Sequence, residues 1–364
     1  MRTPRGDTAW VVTRHEDVRA VLTHRAFSSD PRTPGFPTYV TGDVPPPAGF
    51  FMQADPPDHG RLRRTVSREF LINQMEALRP TMRRIVDGLV DRMSTDGRRS
   101  GDLVREFALP MAAMTICEIL GVPFEDHVLF VSLTDTVLDR TSTPEQAVQA
   151  AGELMGYFDR LVTAKEEEPS EDLFGRMVAH SADGGLTHEE LVGMAALLLL
   201  GGYDTMAQII GIGTVTLFEH PDQLDALRRD DALLPGAVEE MLRYLSINHA
   251  GLLRGVTEDV VVGGRQIRAG DGVLVMLNAA NRDETVFEDA DTFDIHRVNN
   301  GKHLAFGHGF HKCVGATLAR VELTEVFGSL FRRLPGLRPT WPLDELPFRH
   351  DMVFYGVREL PVTW

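Results

Sequence analysis

The segment 306–315 constrains this chain most, because it places one of only two cysteines among closely spaced glycines. It reads Phe-Gly-His-Gly-Phe-His-Lys-Cys-Val-Gly, and the cysteine is Cys313. Glycines at this density let a backbone pass close to a flat, bulky partner and adopt positive φ angles. Residues 316–327 then repeat apolar side chains every three or four positions, which predicts a helix. Free N–H groups and the dipole of a helix N-terminus stabilise anions, so we expect a lowered thiol pKa for Cys313.

Three interpretations of Cys313 follow from the residues alone. It can be a buried structural cysteine, since free cysteine is among the most buried residue types. It can be a nucleophile with His308 or His311 as its base. It can also be an axial ligand of haem iron. The glycine loop, the aromatic Phe306 and the following helix favour the third interpretation, because they suit a flat cofactor better than a substrate cleft.

The pattern Phe-Gly-x-Gly-x-His-x-Cys-x-Gly resembles the haem-binding signature of the cytochrome P450 family. The fixed positions match at Phe306, Gly307, Gly309, His311, Cys313 and Gly315. The resemblance implies that Cys313 is the axial ligand of the iron of haem b. It also implies that His311 contacts a haem propionate and that Phe306, Gly307 and Gly315 lie against the haem.

A second segment, residues 54–64, carries His59 and Arg63 four positions apart on a helix predicted to start after a Pro-Pro pair. Taken alone, this is a solvated basic helix. In the resembled family a His-x-x-x-Arg at this place binds a haem propionate, and a guanidinium can hold a carboxylate with two hydrogen bonds. Arg254 matches the second propionate-binding arginine of the family.

Further basic residues on the same predicted helix form a cluster on an otherwise acidic protein. They are Arg61, Arg64 and Arg68. We expect this cluster to dock an acidic electron donor on the Cys313 side, since complementary charge raises encounter rates.

A long apolar helix is predicted from a capping box, with Thr187 as N-cap and Glu190 three residues later, to about Phe218. Its length and composition would allow a transmembrane span. The carboxylate of Asp204 at its middle argues against lipid, where charge is costly. We therefore expect the central helix of a large soluble protein.

Gly201, Gly202 and Thr205 share one face of this helix by their spacing, beside Asp204. Close helix packing would explain the glycines without any further function. The run Gly-Gly-Tyr-Asp-Thr resembles the acid–alcohol motif of the P450 family, which implies that this face lies over the haem and leaves room for dioxygen. Thr205 would then hold dioxygen and its water, and Asp204 would supply protons from solvent.

The resemblance also implies a substrate pocket and a structural ion-pair cluster. The pocket residues expected are Leu197, Leu200, Asn248, Ala250, Leu252 and Phe354. Glu240, Arg243 and Arg297 are expected to form the buried triad behind the cysteine loop, with a structural role. Loss of one member of such a triad costs roughly 3–5 kcal/mol.

The remaining chain is predicted as consecutive helices with a few β-hairpins. A strand is expected over 9–13, helices over 15–22, 75–95 and 104–120, and hairpins over 258–277 and 348–362, the last turning near 354–356. Cys117 is expected in the core, in a segment ending at Gly121. The Pro- and Gly-rich run 28–51 is expected to close over the substrate, and 144–168 to contain mobile helices over the pocket.

Composition excludes several other classes of protein. Acidic residues number 53 against 37 basic ones, a formal charge of −16, which argues against nucleic-acid binding. Two distant cysteines do not form a disulfide framework, and no signal peptide opens the chain. We expect a cytoplasmic monomer that does not bind a membrane. Compared with the family, the chain is expected to start about 40 residues late.

The fold expected is one mainly α domain over 1–364 with small β-sheets, in the triangular-prism P450 fold with haem between the central helix and the cysteine-loop helix. The function expected is haem-thiolate monooxygenation of an apolar organic substrate in secondary metabolism, by hydroxylation or epoxidation. Electrons would come from NAD(P)H through ferredoxin reductase and ferredoxin. Alternatives left open are oxidative ring-forming coupling, a peroxide-using relative, a non-catalytic haem-binding relative and a cysteine hydrolase.

Overall fold

The structure of the protein, a computed structural model, describes residues 8–37, 46–139, 141–181 and 185–364. Within these ranges it is mainly α-helical, with three small sheets. The helices are α1 His15–Thr23, α2 Asp58–Glu69, α3 Ile72–Ala77, α4 Arg79–Met93, α5 Leu109–Leu120, α6 His127–Leu138, α7 Pro144–Glu167, α8 Leu173–Ser181, α9 His188–Glu219, α10 Pro221–Arg229, α11 Leu234–Leu245, α12 Leu277–Ala280 and α13 Ala316–Arg333. The strands are β1 Ala9–Val12, β2 Phe27–Ser28, β3 Ser100–Asp102, β4 Leu252–Val256, β5 Val260–Val262, β6 Arg265–Ile267, β7 Gly272–Val275, β8 Arg338–Pro339 and β9 Pro361–Thr363.

The central helix α9 organises the core, as the sequence predicts. It starts at the predicted capping box: the Thr187 side chain accepts from the Glu190 N–H, and the Glu190 carboxylate accepts from the Thr187 N–H. α5 and α7 pack along it. α9 is apolar enough to span a membrane by length and composition, yet 78% of its most apolar window is buried inside the protein. That burial is typical of the core helix of a large soluble protein.

The largest sheet contains four strands in the order β1-β7-β4-β2. β1 runs parallel to β7, while the other neighbours are antiparallel. Among the described strands β1 is therefore at an edge, and its Trp10 and Val11 side chains are partly exposed. A three-stranded sheet β3-β9-β8 and the hairpin β5-β6 complete the β structure. β4 matters most for function, because it carries Arg254.

Two helices differ from their predicted course: one is interrupted, and the other begins with a π-helical turn. The helix expected over 75–95 is two helices that meet at Leu78, and the one expected over 104–120 starts with a π-helical turn at Val104–Ala108. In both cases the regular helix restarts with a proline in its first turn, Pro80 or Pro110. Proline cannot donate the backbone hydrogen bond of a helix interior, and it fits a helix start.

The C-terminal hairpin predicted over 348–362 is also different. Phe348 and Val357 form one antiparallel bridge, and the Arg349 N–H donates to the Gly356 carbonyl beside it, but the described residues of this segment form no regular hairpin. Instead Phe354 pairs with Asn248, and Met352 pairs with Asp139 at the end of α6. The segment is therefore a loop, 348–357, that joins three parts of the molecule.

The Pro- and Gly-rich run 28–51 lies partly outside the described residues, at 38–45. Its last part packs against the N-terminal half of α9, where a Cβ on Gly193 would collide with the Ala48 carbonyl. Cys117 is buried near the end of α5, which ends at Gly121 with φ +63°, as predicted.

Candidate active site

Two glycines allow the shape of the cysteine loop. Gly307 and Gly309 both have φ +69°, in the left-handed region that side chains rarely adopt. A Cβ on Gly309 would also collide with the Leu22 carbonyl of α1. The loop closes when the Cys313 N–H donates to the Phe306 carbonyl at 2.8 Å, three residues before α13 begins. The sequence correctly places the cysteine beside a helix start.

The predicted lowered pKa of Cys313 is wrong in this structure. Burial raises the pKa of the thiol, and this outweighs the lowering by the Gly315 N–H and by the cations Arg63, Arg320 and Lys312. Cys313 as a whole residue is nevertheless exposed. The helix terminus alone therefore does not hold a thiolate here, whereas coordination to a metal ion deprotonates a thiol outright.

Four basic side chains from three elements converge beside this loop. The His59 ring of α2 lies 4.1 Å from the His311 ring, centroid to centroid. Neither His59 Nε2 nor His311 Nδ1, both buried, has a hydrogen-bond partner in the described part of the chain. Arg63, one turn after His59, donates to the Lys312 carbonyl next to the cysteine.

The fourth basic group is Arg254 of β4, which is 7% exposed and donates from Nη1 to the carbonyl of its neighbour Leu253 at 2.7 Å. Burial lowers the pKa of Arg254 to about 10, opposed by the charge of Asp55. Burial also lowers the pKa of His311, to about 3, helped by the positive charges of His59, Arg254 and Arg63. Each of these groups would gain from a nearby anion.

This arrangement fits haem. The two propionates are carboxylates, and two guanidiniums with two unsatisfied imidazole nitrogens supply donors for both. Beside them lie the exposed Cys313 and a loop whose shape depends on glycines at positive φ. We therefore find that Cys313, His59, Arg63, Arg254 and His311 form a chemically consistent donor set for this cofactor.

The two glycines of the predicted α9 face have different surroundings. A Cβ on Gly201 would meet no atom within 4 Å, so this residue borders open space. Thr205 lies on the same side and its hydroxyl donates to the Gly201 carbonyl at 2.7 Å. Gly202 differs: its Cβ would lie 3.1 Å from Ile116, so it serves close packing against α5.

Asp204 is fully buried and held by two side chains. Its Oδ1 accepts from Gln208 Nε2 at 3.0 Å and from Arg349 Nη1 at 2.5 Å. Its Oδ2 has no hydrogen-bond partner within the described ranges. Sequence reasoning missed Arg349, which lies 145 positions away in the 348–357 loop; nothing in the local pattern marks it as buried.

The predicted pocket residues fall into three groups. Asn248 and Phe354 are joined by a backbone bridge, and Asn248 Oδ1 is buried without a hydrogen-bond partner in the described part of the chain. Leu252 lies in β4, and its side chain faces Gly307 of the cysteine loop. Ala250 is half-buried just before β4. Leu197 lies on α9 about one turn before the open Gly201, and Leu200 directly precedes that glycine.

The structure brings Glu240, Arg243 and Arg297 together. Arg243 donates to both Glu240 oxygens at 2.8 Å, and Arg297 donates to Glu240 Oε1 at 3.3 Å. Glu240 and Arg243 are fully buried. Arg243 also donates to three carbonyls, those of Asn281, Ala290 and Thr292.

Only part of the predicted basic cluster on α2 is available to bind a partner. Arg61 pairs with Glu190 at the start of α9, so its charge is neutralised within the protein. Arg64 and Arg68 remain exposed. A second basic site was missed: a cleft of about 480 Å³ borders the cysteine loop. Its basic lining residues are His15, Arg19, Lys302, His303, His308, Lys312 and Arg320.

Comparisons with known proteins agree with this geometry. A family model described as Cytochrome P450 matches residues 136–335. Cytochrome P450-SU2 of Streptomyces griseolus is 46% identical over 361 residues, covering 99% of this chain and 88% of its own. Vitamin D3 dihydroxylase of the same species is 42% identical, with the same two coverages. The crystal structure of mycinamicin VIII C21 methyl hydroxylase from Micromonospora griseorubida, bound to mycinamicin VIII, superposes with a TM-score of 0.93 at 38% identity, covering 100% of this chain and 92% of that one.

Proposed function

This chain belongs to the cytochrome P450 family, and on that premise we propose that it hydroxylates or epoxidises a large apolar small molecule of secondary metabolism. The general class needs no proposal: it is a bacterial-type P450 monooxygenase that uses haem, dioxygen and an organic substrate. The proposal concerns the roles of individual residues, the kind of substrate and the route of the electrons. The observation that carries it is the set of basic side chains around the exposed Cys313.

In this proposal the Cys313 sulfur would bind the haem iron, and His59, Arg63, Arg254 and His311 would hold the two propionates. Phe306, Gly307 and Gly315 shape the surface against the ring, and Gly201 with Gly202 shapes the opposite side. Bound haem supplies the activation of dioxygen and the insertion of one oxygen atom into the substrate. As a ligand of the iron, the Cys313 thiolate would donate electron density to the bound haem.

Thr205 and Asp204 are proposed to manage protons on the α9 side. The Thr205 hydroxyl, now donating to the Gly201 carbonyl, keeps free lone pairs and can rotate to donate elsewhere. Asp204 is buried, and its Oδ2 has no hydrogen-bond partner among the residues that the structure describes. A buried carboxylate one residue from a rotatable hydroxyl can pass a proton toward the open space beside Gly201.

The proposed substrate contacts combine apolar and polar groups. Leu197, Leu200, Ala250, Leu252 and Phe354 offer an apolar wall, which favours a large hydrophobic molecule. The unsatisfied Asn248 Oδ1 adds a buried acceptor, which suits a hydroxyl or N–H donor on that molecule. Similar proteins are named for vitamin D3 and for mycinamicin VIII, so relatives of this chain are named for quite different molecules.

Electrons are proposed to come from NAD(P)H through ferredoxin reductase and an acidic ferredoxin. The support is the basic cleft next to the cysteine loop, where Lys302 and Lys312 are exposed on a protein of net charge −16. A negatively charged donor would be steered to this side of the molecule. We also propose a single domain and a monomer; one large hydrophobic cluster runs through most helices of the described chain.

The test is the carbon monoxide difference spectrum of the purified, dithionite-reduced protein. We expect the strongly red-shifted Soret band of thiolate-ligated haem, and we expect Cys313→Ala to abolish it. Cys117→Ala is the matched control and should keep the band. A protein without haem, or a band of neutral axial ligation, would overturn the assignment of Cys313. Substrates are then screened by the spin-state shift that they cause.

A further inference from the structure

Glu239 of α11 contacts two residues that lie on opposite sides of Cys313 in the chain. It directly precedes Glu240 of the structural triad, but its own contacts are different. Arg320 of α13 donates from Nε and Nη2 to Glu239 Oε1 and Oε2, at 2.5 and 2.9 Å. His303, which precedes the cysteine loop, has its Nε2 3.2 Å from Glu239 Oε2. One carboxylate therefore holds the chain on both sides of this loop.

The contacts of the His303 ring determine which nitrogen faces Glu239. The Ala305 N–H donates to His303 Nδ1 at 3.1 Å, so Nδ1 is the acceptor and the ring hydrogen lies on Nε2. This Nε2 is buried at ion-pair distance from the carboxylate, without the alignment of a hydrogen bond in the described residues. Burial opposes the ionisation of Glu239, yet the contacts from His303 and Arg320 hold its pKa at about 2. Glu239 is therefore a carboxylate throughout the neutral pH range.

Arg320 in turn contacts the aromatic residue of the cysteine loop. Its guanidinium carbon lies 4.7 Å from the centroid of the Phe306 ring, which is a cation–π distance. The centroid of the His303 ring lies 5.9 Å from that of the same ring. The Phe306 carbonyl accepts the Cys313 N–H at 2.8 Å. Phe306 is thus linked to Glu239 through two side chains and to Cys313 through the backbone.

Arg320 also brings a positive charge toward the sulfur of Cys313. Burial raises the pKa of this thiol, and the cations Arg63, Arg320 and Lys312 act against it. Of these three cations, Arg320 has a carboxylate partner among the described ion pairs, and that partner is Glu239. The carboxylate therefore cancels part of the positive charge that Arg320 would otherwise present to the sulfur. Removal of either member of the pair changes the electric field at Cys313, and the two removals change it in opposite directions.

We propose that Glu239 is a positioning residue of the haem site, which through Arg320 sets the electric field at Cys313 and the packing of Phe306. The inference rests on the proposed binding of haem iron by Cys313. Reduction of the bound haem adds one electron from the donor and hence one negative charge, so its free energy depends on the charges nearby. A neutral residue at 239 therefore favours reduction, and a neutral residue at 320 disfavours it.

The first experiment measures the one-electron reduction potential of the bound haem by spectroelectrochemistry, in the purified holoenzyme without substrate. We expect Glu239→Gln to shift the reduction equilibrium by about three- to tenfold toward the reduced form. Arg320→Met should shift it by a similar factor in the opposite direction, and the double variant should return close to the parent. A tenfold shift corresponds to about 59 mV for one electron. A general loosening of the structure would not give shifts of opposite sign.

Arg320→Lys separates the effect of charge from the effect of packing. Lysine keeps the positive charge, but it lacks the planar fork that binds both Glu239 oxygens and packs on Phe306. We expect its reduction potential to stay near that of the parent. Amide hydrogen exchange of the segment 303–315, followed by mass spectrometry in the holoenzyme, should become faster in Arg320→Lys and in Glu239→Gln. This second measurement needs neither substrate nor electron transfer.

Glu325→Gln is the matched control, because Glu325 lies on the same helix as Arg320 and pairs with two arginines of α4, Arg79 and Arg83. It should leave both the potential and the exchange of the loop unchanged. The proposal is overturned if Glu239→Gln and Arg320→Met shift the potential in the same direction or not at all. It is also overturned if the control shifts the potential as much as Glu239→Gln does.

The carbon monoxide difference spectrum separates failure of this inference from failure of the proposed haem ligation. If the parent protein lacks the red-shifted Soret band, the assignment of Cys313 is refuted, and the role of Glu239 is refuted with it. If the parent and Glu239→Gln both show the band and have equal reduction potentials, the role of Glu239 alone is refuted.

Discussion

His59 and His311 face each other with ring centroids 4.1 Å apart, and each keeps a buried ring nitrogen without a partner in the described structure. One belongs to α2 and the other to the cysteine loop, 252 positions later (311 − 59). Two neighbouring imidazoles between two arginines form a costly environment, since burial and positive charge both lower the pKa of His311, to about 3. An anion between them relieves that cost, which makes haem binding and the protonation of this cluster interdependent.

Replacement of Arg254 tests this dependence. Arg254→Leu removes one cationic donor from the cluster, and a hydrogen bond to a charged group contributes roughly 1.5–3 kcal/mol. We expect haem to be held about 10- to 150-fold less tightly, measured as the rate of haem transfer to apomyoglobin. Arg265→Leu, at an exposed arginine of β6, is the control. Equal haem retention in both variants would mean that Arg254 does not contact the cofactor.

The Glu240–Arg243 pair offers a test of structural role. Both side chains are fully buried. Removal of Glu240 leaves the buried Arg243 without a carboxylate, and removal of Arg243 leaves Glu240 with only the longer contact to Arg297 as its ion pair among the described residues. Glu240→Gln or Arg243→Met is expected to lower the free energy of unfolding by roughly 3–5 kcal/mol, measured by urea denaturation. The double variant should lose less than the sum of the two. Glu16→Gln breaks the exposed pair with Arg14, and we expect it to cost at most about 1 kcal/mol.

How far the sequence predicts the site depends on how local each interaction is. The capping box of α9 and the Glu240–Arg243 pair use spacings of three residues, and both form as the sequence indicates. The contact between Arg349 and Asp204 joins residues 145 apart, and only the packed fold brings them together. Prediction from local sequence also fails where residues distant in the chain set the burial or the charge environment of a side chain.

Cys313 and Arg61 illustrate that failure. The helix start beside Cys313 suggested a lowered thiol pKa, but burial, which the sequence does not display, raises it. Arg61 looked like a free cation of a docking cluster, yet Glu190 of another helix pairs with it. In both cases the residue type and its place on an element were predicted correctly, and the electrostatic environment was not.

Glu322 of α13 gives a prediction about pH. It is 1% exposed, and burial raises its pKa to about 8, against a smaller lowering by the nearby Thr115 hydroxyl. The folded protein therefore binds a proton here that the unfolded chain releases near pH 4.5. Stability from this group is present at acidic pH and is lost as pH rises from the unfolded toward the folded pKa, by at most about 1.4 kcal/mol per pH unit.

Glu322→Gln removes that titration while keeping the shape of the side chain. We expect the variant to gain stability relative to the parent steadily as pH rises from about 5 to about 8, measured by urea denaturation at several pH values. Glu345 lies in an exposed turn, so the free energy of unfolding of Glu345→Gln should change with pH in the same way as that of the parent. If the difference between Glu322→Gln and the parent does not change with pH, Glu322 is not neutral in the folded protein.

The basic cleft beside the cysteine loop is expected to receive the electron donor. Lys302→Glu and Lys312→Glu reverse charges at its rim, so an acidic ferredoxin should associate more slowly, by about tenfold or more at low salt. The rate of haem reduction by a surrogate ferredoxin, followed by stopped flow, measures this. The difference should shrink as salt screens the charges. Arg229→Glu, exposed on α10 and outside the cleft, should change little. If Arg64→Glu slows reduction more than either lysine variant, the docking surface lies on α2 instead, where the remaining exposed arginines of the first predicted cluster are found.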